Sequence, residues 1–179
     1  MKKPPAEVVA SLLAVTTLFV PNHLPPWAIF ISWAAAFAMG GPSPANLKRL
    51  WPVMPIGSIT GFLVVMGIGK ASTMFTGISF TIAMCVVLFC LNAGQMVLSR
   101  LVPFFSFTPG MFFGFASFFA TFFGHFGPTP DDPFVSLLST ILMNAIGPIY
   151  AFITWRCSSH APHRVEAEFP QAKGHEFKH

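Results

Sequence analysis

The sequence predicts an all-α fold, a polytopic membrane helix bundle of about six transmembrane helices. Of its 179 residues 54% are hydrophobic and only 9% are charged. A soluble domain carries about 25% charged residues and needs them to cover its water-facing surface, whereas lipid as the solvent removes that need. The apolar residues gather in six runs, and the basic residues lie between those runs.

Pro- and Gly-rich segments separate most of the apolar runs. The runs cover residues 6–20, 27–40, 50–69, 71–99, 109–126 and 133–155. None of them holds a charged residue away from its ends. Because every backbone polar group in hydrocarbon needs an internal partner, we expect each run to be a helix.

The first two runs each leave an alternative open. Lys2 and Lys3 before the first run also suit a signal peptide, but Val20 to His23 offers no small-x-small cleavage site, which favours an uncleaved span. The second run has 14 residues, about 21 Å as a helix, against a hydrocarbon core of about 30 Å. A half-span inside the protein is the alternative for this run, and it would leave five full spans.

Three of the runs begin alike. A proline is followed by small residues four apart: Pro5 with Ala6 and Ala10, Pro55 with Gly57 and Gly61, and Pro109 with Gly110 and Gly114. Proline is tolerated at a helix start, and small residues at this spacing let two helices approach closely in lipid. The pattern suggests three helical-hairpin repeats, although six evenly spaced spans recur at the same interval without any duplication.

The basic residues predict the orientation. With the N-terminus inside, all ten Lys and Arg except Lys70 fall on the cytoplasmic side, where basic connectors collect. Asp131 and Asp132 fall outside with Lys70. The sequence therefore predicts a multi-pass protein of a cytoplasmic-type membrane, with both termini in the cytoplasm.

The polar C-terminal segment differs in composition from the rest. We expect residues 1–156 to form one transmembrane helical domain and residues 157–179 a disordered cytoplasmic tail, because the tail cannot bury enough apolar surface to fold alone. The tail contains His160, His163, His175 and His179, but their spacing fixes no metal site. Cys85 and Cys90, five apart inside a run, also lack a metal-ligand spacing.

Polar and small residues within the runs are the candidates for function. On the fifth run Gly110, Gly114, Ser117, Thr121 and Gly124 form one narrow stripe, opposite most of its phenylalanines. The stripe either packs on a neighbouring helix or lines a narrow path. The amides in the later runs either bond between helices, for example Asn92 with Asn144, or line a polar path. The candidate pore-lining or helix-packing residues are Gly57, Gly61, Asn92, Gln95, Gly110, Gly114, Ser117, Thr121 and Asn144.

The residue types that are missing from the run centres narrow the function. No titratable residue lies in mid-span, which argues against a pump and against charged substrates. No catalytic, metal or phosphate-binding motif appears, so we expect no enzyme, cofactor or nucleic-acid partner. The leading hypothesis is a channel or uncoupled transporter for a small neutral solute, working as a homo-oligomer in the lipid bilayer. The alternative is a non-transporting membrane scaffold or accessory subunit of a larger complex.

The segment from Phe107 to Ala116, which reads FTPGMFFGFA, resembles a motif of a known family. That family is a small bacterial inner-membrane family typified by YcdZ, a domain-of-unknown-function family. The length and hydropathy of the chain resemble those of the family from near the N-terminus to about Trp155. The resemblance implies a multi-pass protein of the bacterial inner membrane, and it implies no substrate and no functional residues.

Overall fold

The computed structural model describes residues 3–21 and 23–158, and this part of the chain holds six α-helices. Short 3-10 turns, Thr17–Phe19 and Pro103–Phe105, precede the second and fifth helices. The helices are α1 Ala6–Thr16, α2 Pro26–Ala38, α3 Pro44–Met74, α4 Gly77–Leu101, α5 Thr108–Phe123 and α6 Pro133–Cys157. The predicted all-α fold is confirmed. Of the predicted tail, residues 157–179, Cys157 is the last residue of α6; the part beyond Ser158, with its four histidines, lies outside the described residues.

The starts of α3 and α6 follow one design. Ser43 accepts a hydrogen bond from the Asn46 N–H at 3.2 Å, and Pro44 is the first residue of α3. Asp132 accepts from two N–H groups at 2.8 and 3.1 Å, and Pro133 is the first residue of α6. A polar cap satisfies N–H groups that have no partner within the helix, and proline has none to satisfy.

The boundaries of α3 correct two predictions. Pro55, which we expected near a helix start, lies inside α3 together with Pro52, because the capped start is at Pro44. Neighbouring helices make such prolines tolerable in membrane helices. The next helix begins at Gly77 rather than at residue 71. The break is a short extended connection, Phe75–Thr76, which carries no Pro and Gly cluster to mark it.

Helix length divides the six helices into two groups. Only α3, α4 and α6, with 31, 25 and 25 residues, are long and apolar enough to cross a membrane. The apolar helices α1, α2 and α5 have 11, 13 and 16 residues. The second helix is therefore as short as the sequence indicated, and α1 and α5 are short as well. The long apolar helices indicate a membrane protein.

Consecutive helices run in opposite directions, so that α1, α3 and α5 point one way and α2, α4 and α6 the other. Between α3 and α5, residue numbers rise together along the contact, from Val53 beside Gly110 to Gly61 beside Phe118. Along the contact between α1 and α6, residue numbers rise in opposite directions. Lys3 donates to the Arg156 carbonyl at 3.0 Å near one end.

The basic residues gather at one end of the bundle. Lys3, Lys48, Arg49, Arg100 and Arg156 lie where α1 and α3 begin and α4 and α6 end. Arg49 bridges to the connector before α5, donating to the Ser106 hydroxyl at 2.6 Å. The opposite end carries Lys70, His125 and the acidic pair of residues 131 and 132. This segregation agrees with the sequence pattern.

The inner helices pack in two close pairs, α3 with α5 and α2 with α6. The contact between α3 and α6 joins the two pairs, and so does the contact between α2 and α5. The outer helices are attached at the sides, α1 on α6 and α4 on α3. In α4 only Gln95 and Ser99 are buried. Its apolar side chains face outward on nearly every side, as expected for a helix in lipid.

Candidate functional site

The glycines of α3 and α5 lie where these helices touch backbone to backbone. A methyl group added at Gly57 would overlap the carbonyl oxygen of Met111, and one added at Gly114 would overlap that of Met54. The Ser58 hydroxyl donates to the Gly114 carbonyl at 2.9 Å. Side chains larger than hydrogen are therefore excluded at both glycines, because each would strike backbone that cannot rotate away.

The rest of the small-residue stripe on α5 is also enclosed by its neighbours. A methyl group at Gly110 would lie 3.0 Å from Val53, and one at Gly61 would lie 2.8 Å from Phe118. The Thr121 hydroxyl donates to the Ser117 carbonyl at 2.8 Å, within α5 itself. The stripe thus lies in helix contacts and does not face an open path.

The second inner pair has a crossing of the same kind that sequence reasoning missed. A methyl group at Gly147 of α6 would overlap Ser32 and the carbonyl oxygen of Ile29 in α2. The Ser32 hydroxyl turns back to the Ala28 carbonyl of its own helix at 2.8 Å. The Gly147–Pro148 pair in the middle of the sixth run was the available signal, since it has no place in an ordinary helix interior.

The three candidate amides separate into two groups. Gln95 donates to the Asn92 side chain at 2.6 Å, three residues away on α4. The suggested bond between Asn92 and Asn144 is therefore wrong. Asn144 instead accepts a hydrogen bond from the Ser117 hydroxyl of α5 at 3.1 Å. Asn92 is a local partner on the peripheral helix, whereas Asn144 belongs to the interior of the bundle.

Asn144 is the notable polar group of that interior. It is 3% exposed, and its amide nitrogen has no hydrogen-bond partner. Leaving a buried amide donor unpaired costs about 1–3 kcal/mol. It is the twelfth residue of the 25 in α6, about 16 Å from the start of the helix and so near its middle.

A cavity of about 220 Å³ lies beside Asn144, between α3 and α6. Its walls are apolar except for the amide and for the edge of one indole. The lining residues are Leu50, Trp51, Met54, Pro55, Ile141, Asn144, Ala145 and Pro148. The Trp51 indole spans the two helices, donating to the Ala145 carbonyl at 3.2 Å. The cavity therefore lies at the middle of α6 and contains no charged group.

Two prolines of the wall alter the backbone around the cavity. Pro55 and Pro148 have no N–H group, so the carbonyls of Trp51 and Asn144, one turn earlier, lose their regular helical donors. Each of these carbonyls belongs to a residue that also lines the cavity. The residues of the wall thus include an amide with an unpaired nitrogen and two carbonyls without a regular helical donor, in an apolar surround. Such groups can hold a neutral hydrogen-bonding molecule and cannot transfer a proton.

None of the residues that line this cavity is titratable. At the acidic end of the bundle His125 pairs with Asp131 at 2.6 Å, and both side chains are about 70% exposed. Within residues 3–21 and 23–158, no three His, Cys, Asp or Glu side chains come together in a way that could hold a metal ion. The candidate site therefore consists of Asn144 and the residues around it.

Comparison with known proteins places the chain in a family. It belongs to the family described as "Protein of unknown function (DUF1097)", whose model matches residues 6–165. This agrees with the resemblance that the segment from Phe107 to Ala116 indicated. Comparisons with curated proteins and with solved structures gave no significant match.

Proposed function

We propose that this family member is a channel or uncoupled transporter for a small neutral solute, and that the solute binds in the cavity between α3 and α6. The observation that carries the proposal is the unpaired, buried amide of Asn144 beside a cavity at the middle of a long apolar helix. A polar group is costly there, and intramembrane polar groups commonly mark substrate pathways. The uncharged wall favours a neutral solute.

The chemistry of the wall defines the solute further. The Asn144 amide nitrogen carries two N–H groups that can donate hydrogen bonds, and the carbonyls of Trp51 and Asn144 can each accept one. A molecule that satisfies the amide and both carbonyls must both accept and donate, as a small primary amide or a small alcohol does. Because the stripe on α5 is filled by packing, the cavity supports a carrier that changes shape better than a permanently open pore.

The proposal also concerns the membrane in which the protein lies and its orientation there. We place the protein in the bacterial cytoplasmic membrane with its basic end inside, since basic connectors are retained on that side. We propose no catalytic role, because the cavity wall offers no acid, base or nucleophile. Assembly as a homo-oligomer stays a prediction.

Solute flux into liposomes tests the proposal. Purified protein should raise the permeability to acetamide above that of protein-free liposomes, as followed by light scattering after rapid mixing. Asn144→Leu should abolish the increase because it removes the donor and fills the cavity. Asn92→Leu, which removes an amide from peripheral α4, is the matched control and should retain the flux. Unchanged permeability to acetamide, urea, glycerol and ammonia with the wild-type protein would refute the proposal.

One observation favours the alternative of a membrane scaffold. The small-residue faces of α3 and α5 are buried in contacts within the chain, while α4 presents apolar side chains outward along its length. A protein partner could cover that helix in place of lipid. A partner that co-purifies in fixed ratio, combined with the absence of flux, would favour this role.

A further inference from the structure

We propose that α1–α3 and α4–α6 are two copies of one three-helix unit, inserted in opposite orientations, and that the α3–α6 cavity lies on the axis relating them. This replaces the three hairpin repeats suggested by the sequence pattern. The directions of the helices allow it. The first unit runs up, down and up, and the second runs down, up and down. Rotation by half a turn about an axis between them superimposes one on the other.

The packing has the symmetry that such a rotation requires. The second helix of each unit lies along the third helix of the other, so that α5 packs on α3 and α2 packs on α6. Both pairs are parallel. In the second pair Trp33 meets Tyr150, and Ile29 shares a cluster with Met143 nearer the starts of the two helices. The outer helices correspond as well, because α4 packs on α3 and α1 packs on α6.

The burial of the third helices matches residue by residue at a shift of 90, the separation of Gly57 and Gly147. Eight buried positions of α3 coincide with eight buried positions of α6, and the seven residues 53–59 have the same burial classes in the same order as residues 143–149. The pairs are Leu47 with Leu137, Leu50 with Thr140, Val53 with Met143, Met54 with Asn144, Gly57 with Gly147, Ser58 with Pro148, Gly61 with Ala151 and Val64 with Thr154.

The second helices match at a shift of 82, and residues 28–32 have the same order of burial classes as residues 110–114. Five buried positions coincide: Ala28 with Gly110, Ile29 with Met111, Ser32 with Gly114, Ala35 with Ser117 and Ala36 with Phe118. A 3-10 turn precedes the second helix in both units, and a capped proline starts the third. Thus the connections as well as the helices are repeated.

The glycine contacts between the helices of each pair are independent of the burial pattern, and they match the same residues of the two units. In one pair the missing Cβ of Gly57 would meet the carbonyl oxygen of Met111, and in the other that of Gly147 would meet the carbonyl oxygen of Ile29. Gly57 and Gly147 are separated by the shift of 90, and Ile29 and Met111 by the shift of 82. Both residues of one contact therefore correspond to both residues of the other. The same close approach of glycine to backbone therefore occurs in both pairs, at matched positions.

The cavity lies where each unit faces its copy. Three of the equivalent pairs line it from both sides: Trp51 with Ile141, Met54 with Asn144, and Pro55 with Ala145. In transporters built from inverted repeats, the substrate site lies near the bilayer midplane at the interface of the repeats, and the repeats exchange conformations to open it to either side. If the proposed function holds, the same site is reached alternately from the two faces of the membrane.

The two units differ most in the polarity of the site. Asn144 bonds to Ser117 in one half, whereas their counterparts, Met54 and Ala35, share an apolar cluster in the other. If the units are equivalent, the polar pair can be moved across the axis. The geometry that brings a hydroxyl at residue 117 to an amide at residue 144 should bring a hydroxyl at residue 35 to an amide at residue 54.

Melting of the full-length protein in detergent tests this equivalence. Met54→Asn should lower the melting temperature by several degrees, and adding Ala35→Ser should recover most of that loss. Ala36→Ser is the matched control, since Ala36 is the next residue of α2, is equally buried and corresponds to Phe118. Recovery by Ala36→Ser that equals recovery by Ala35→Ser would overturn the assignment.

Disulfide trapping covers the case in which Met54→Asn does not fold. With Cys85, Cys90 and Cys157 replaced by serine, Ala35→Cys with Met54→Cys should cross-link as readily as Ser117→Cys with Asn144→Cys. Cross-linking of only one pair would overturn the repeat.

Flux separates this inference from the proposed function. Adding Met54→Asn and Ala35→Ser to Asn144→Met and Ser117→Ala should restore the acetamide flux that the latter two abolish. A wild-type protein without flux would refute only the proposed function, because the melting and cross-linking results do not depend on transport.

Discussion

The replacement of Gly57 by alanine measures how tightly α3 and α5 are held together. The added methyl group would overlap the Met111 carbonyl oxygen and come within 3.0 Å of the Met111 Cα. Because the obstacle is backbone in a helix, the two helices have to separate. Overpacking of this kind costs about 1–3 kcal/mol, and a backbone obstacle favours the upper end of that range.

Alanine also has a favourable effect that must be subtracted. It stabilises a helix interior by about 0.5–1 kcal/mol relative to glycine. The expected net loss is therefore about 2 kcal/mol. For a chain of 150–250 residues, a change of 1 kcal/mol moves the melting temperature by about 2–4 °C, so Gly57→Ala should melt about 4–8 °C below the wild type.

Gly94→Ala is the control for this measurement. Gly94 lies within α4, and a methyl group there would have no heavy atom within 4 Å. Only the gain in helix propensity remains, so the melting temperature should stay level or rise slightly. Unfolding in detergent can be followed by the fluorescence of the four tryptophans. If Gly57→Ala melted together with Gly94→Ala, the close approach of α3 and α5 and the reasoning from it would be wrong.

Two further predictions concern the ends of the bundle. Asp132→Ala removes the acceptor of two N–H groups at the start of α6 and should lower stability by about 0.5–2 kcal/mol. Asp131→Asn, next to the cap, tolerates the positive φ of that residue and keeps an acceptor for His125, so it should change stability little; thermal melting checks both. In a chain without its native cysteines, Lys48→Cys should react with a membrane-impermeant maleimide only in inside-out vesicles, and Lys70→Cys only in intact cells; the reverse result would place the basic end outside.

The sequence was sufficient to predict the elements because their signals are local. Apolar runs bounded by Pro and Gly predicted the positions of α1, α2, α5 and α6 closely, and the stripe through Gly114 marked a contact face. The boundary between α3 and α4 was misplaced because Phe75–Thr76 has no turn-forming composition. Pro55 was read as a start because proline disfavours helix interiors, whereas the cap at Ser43 had already begun the helix.

The partners of the polar residues could not be predicted in the same way. Whether Asn144 meets Asn92 or Ser117 depends on the rotation and order of the packed helices, which no local pattern records. The inverted repeat was equally inaccessible. Its two copies share Gly57 and Gly147 at the closest approach, but most other equivalent positions, such as Met54 and Asn144, keep only burial in common.

The short inner helices determine how thick an insulating layer the protein presents. At 1.5 Å per residue α2 and α5 are about 20 and 24 Å long, while the hydrocarbon core of a bilayer is about 30 Å deep. If the proposed function holds, a solute that crosses the bundle beside these short helices leaves water for a shorter distance than one that dissolves through the neighbouring bilayer.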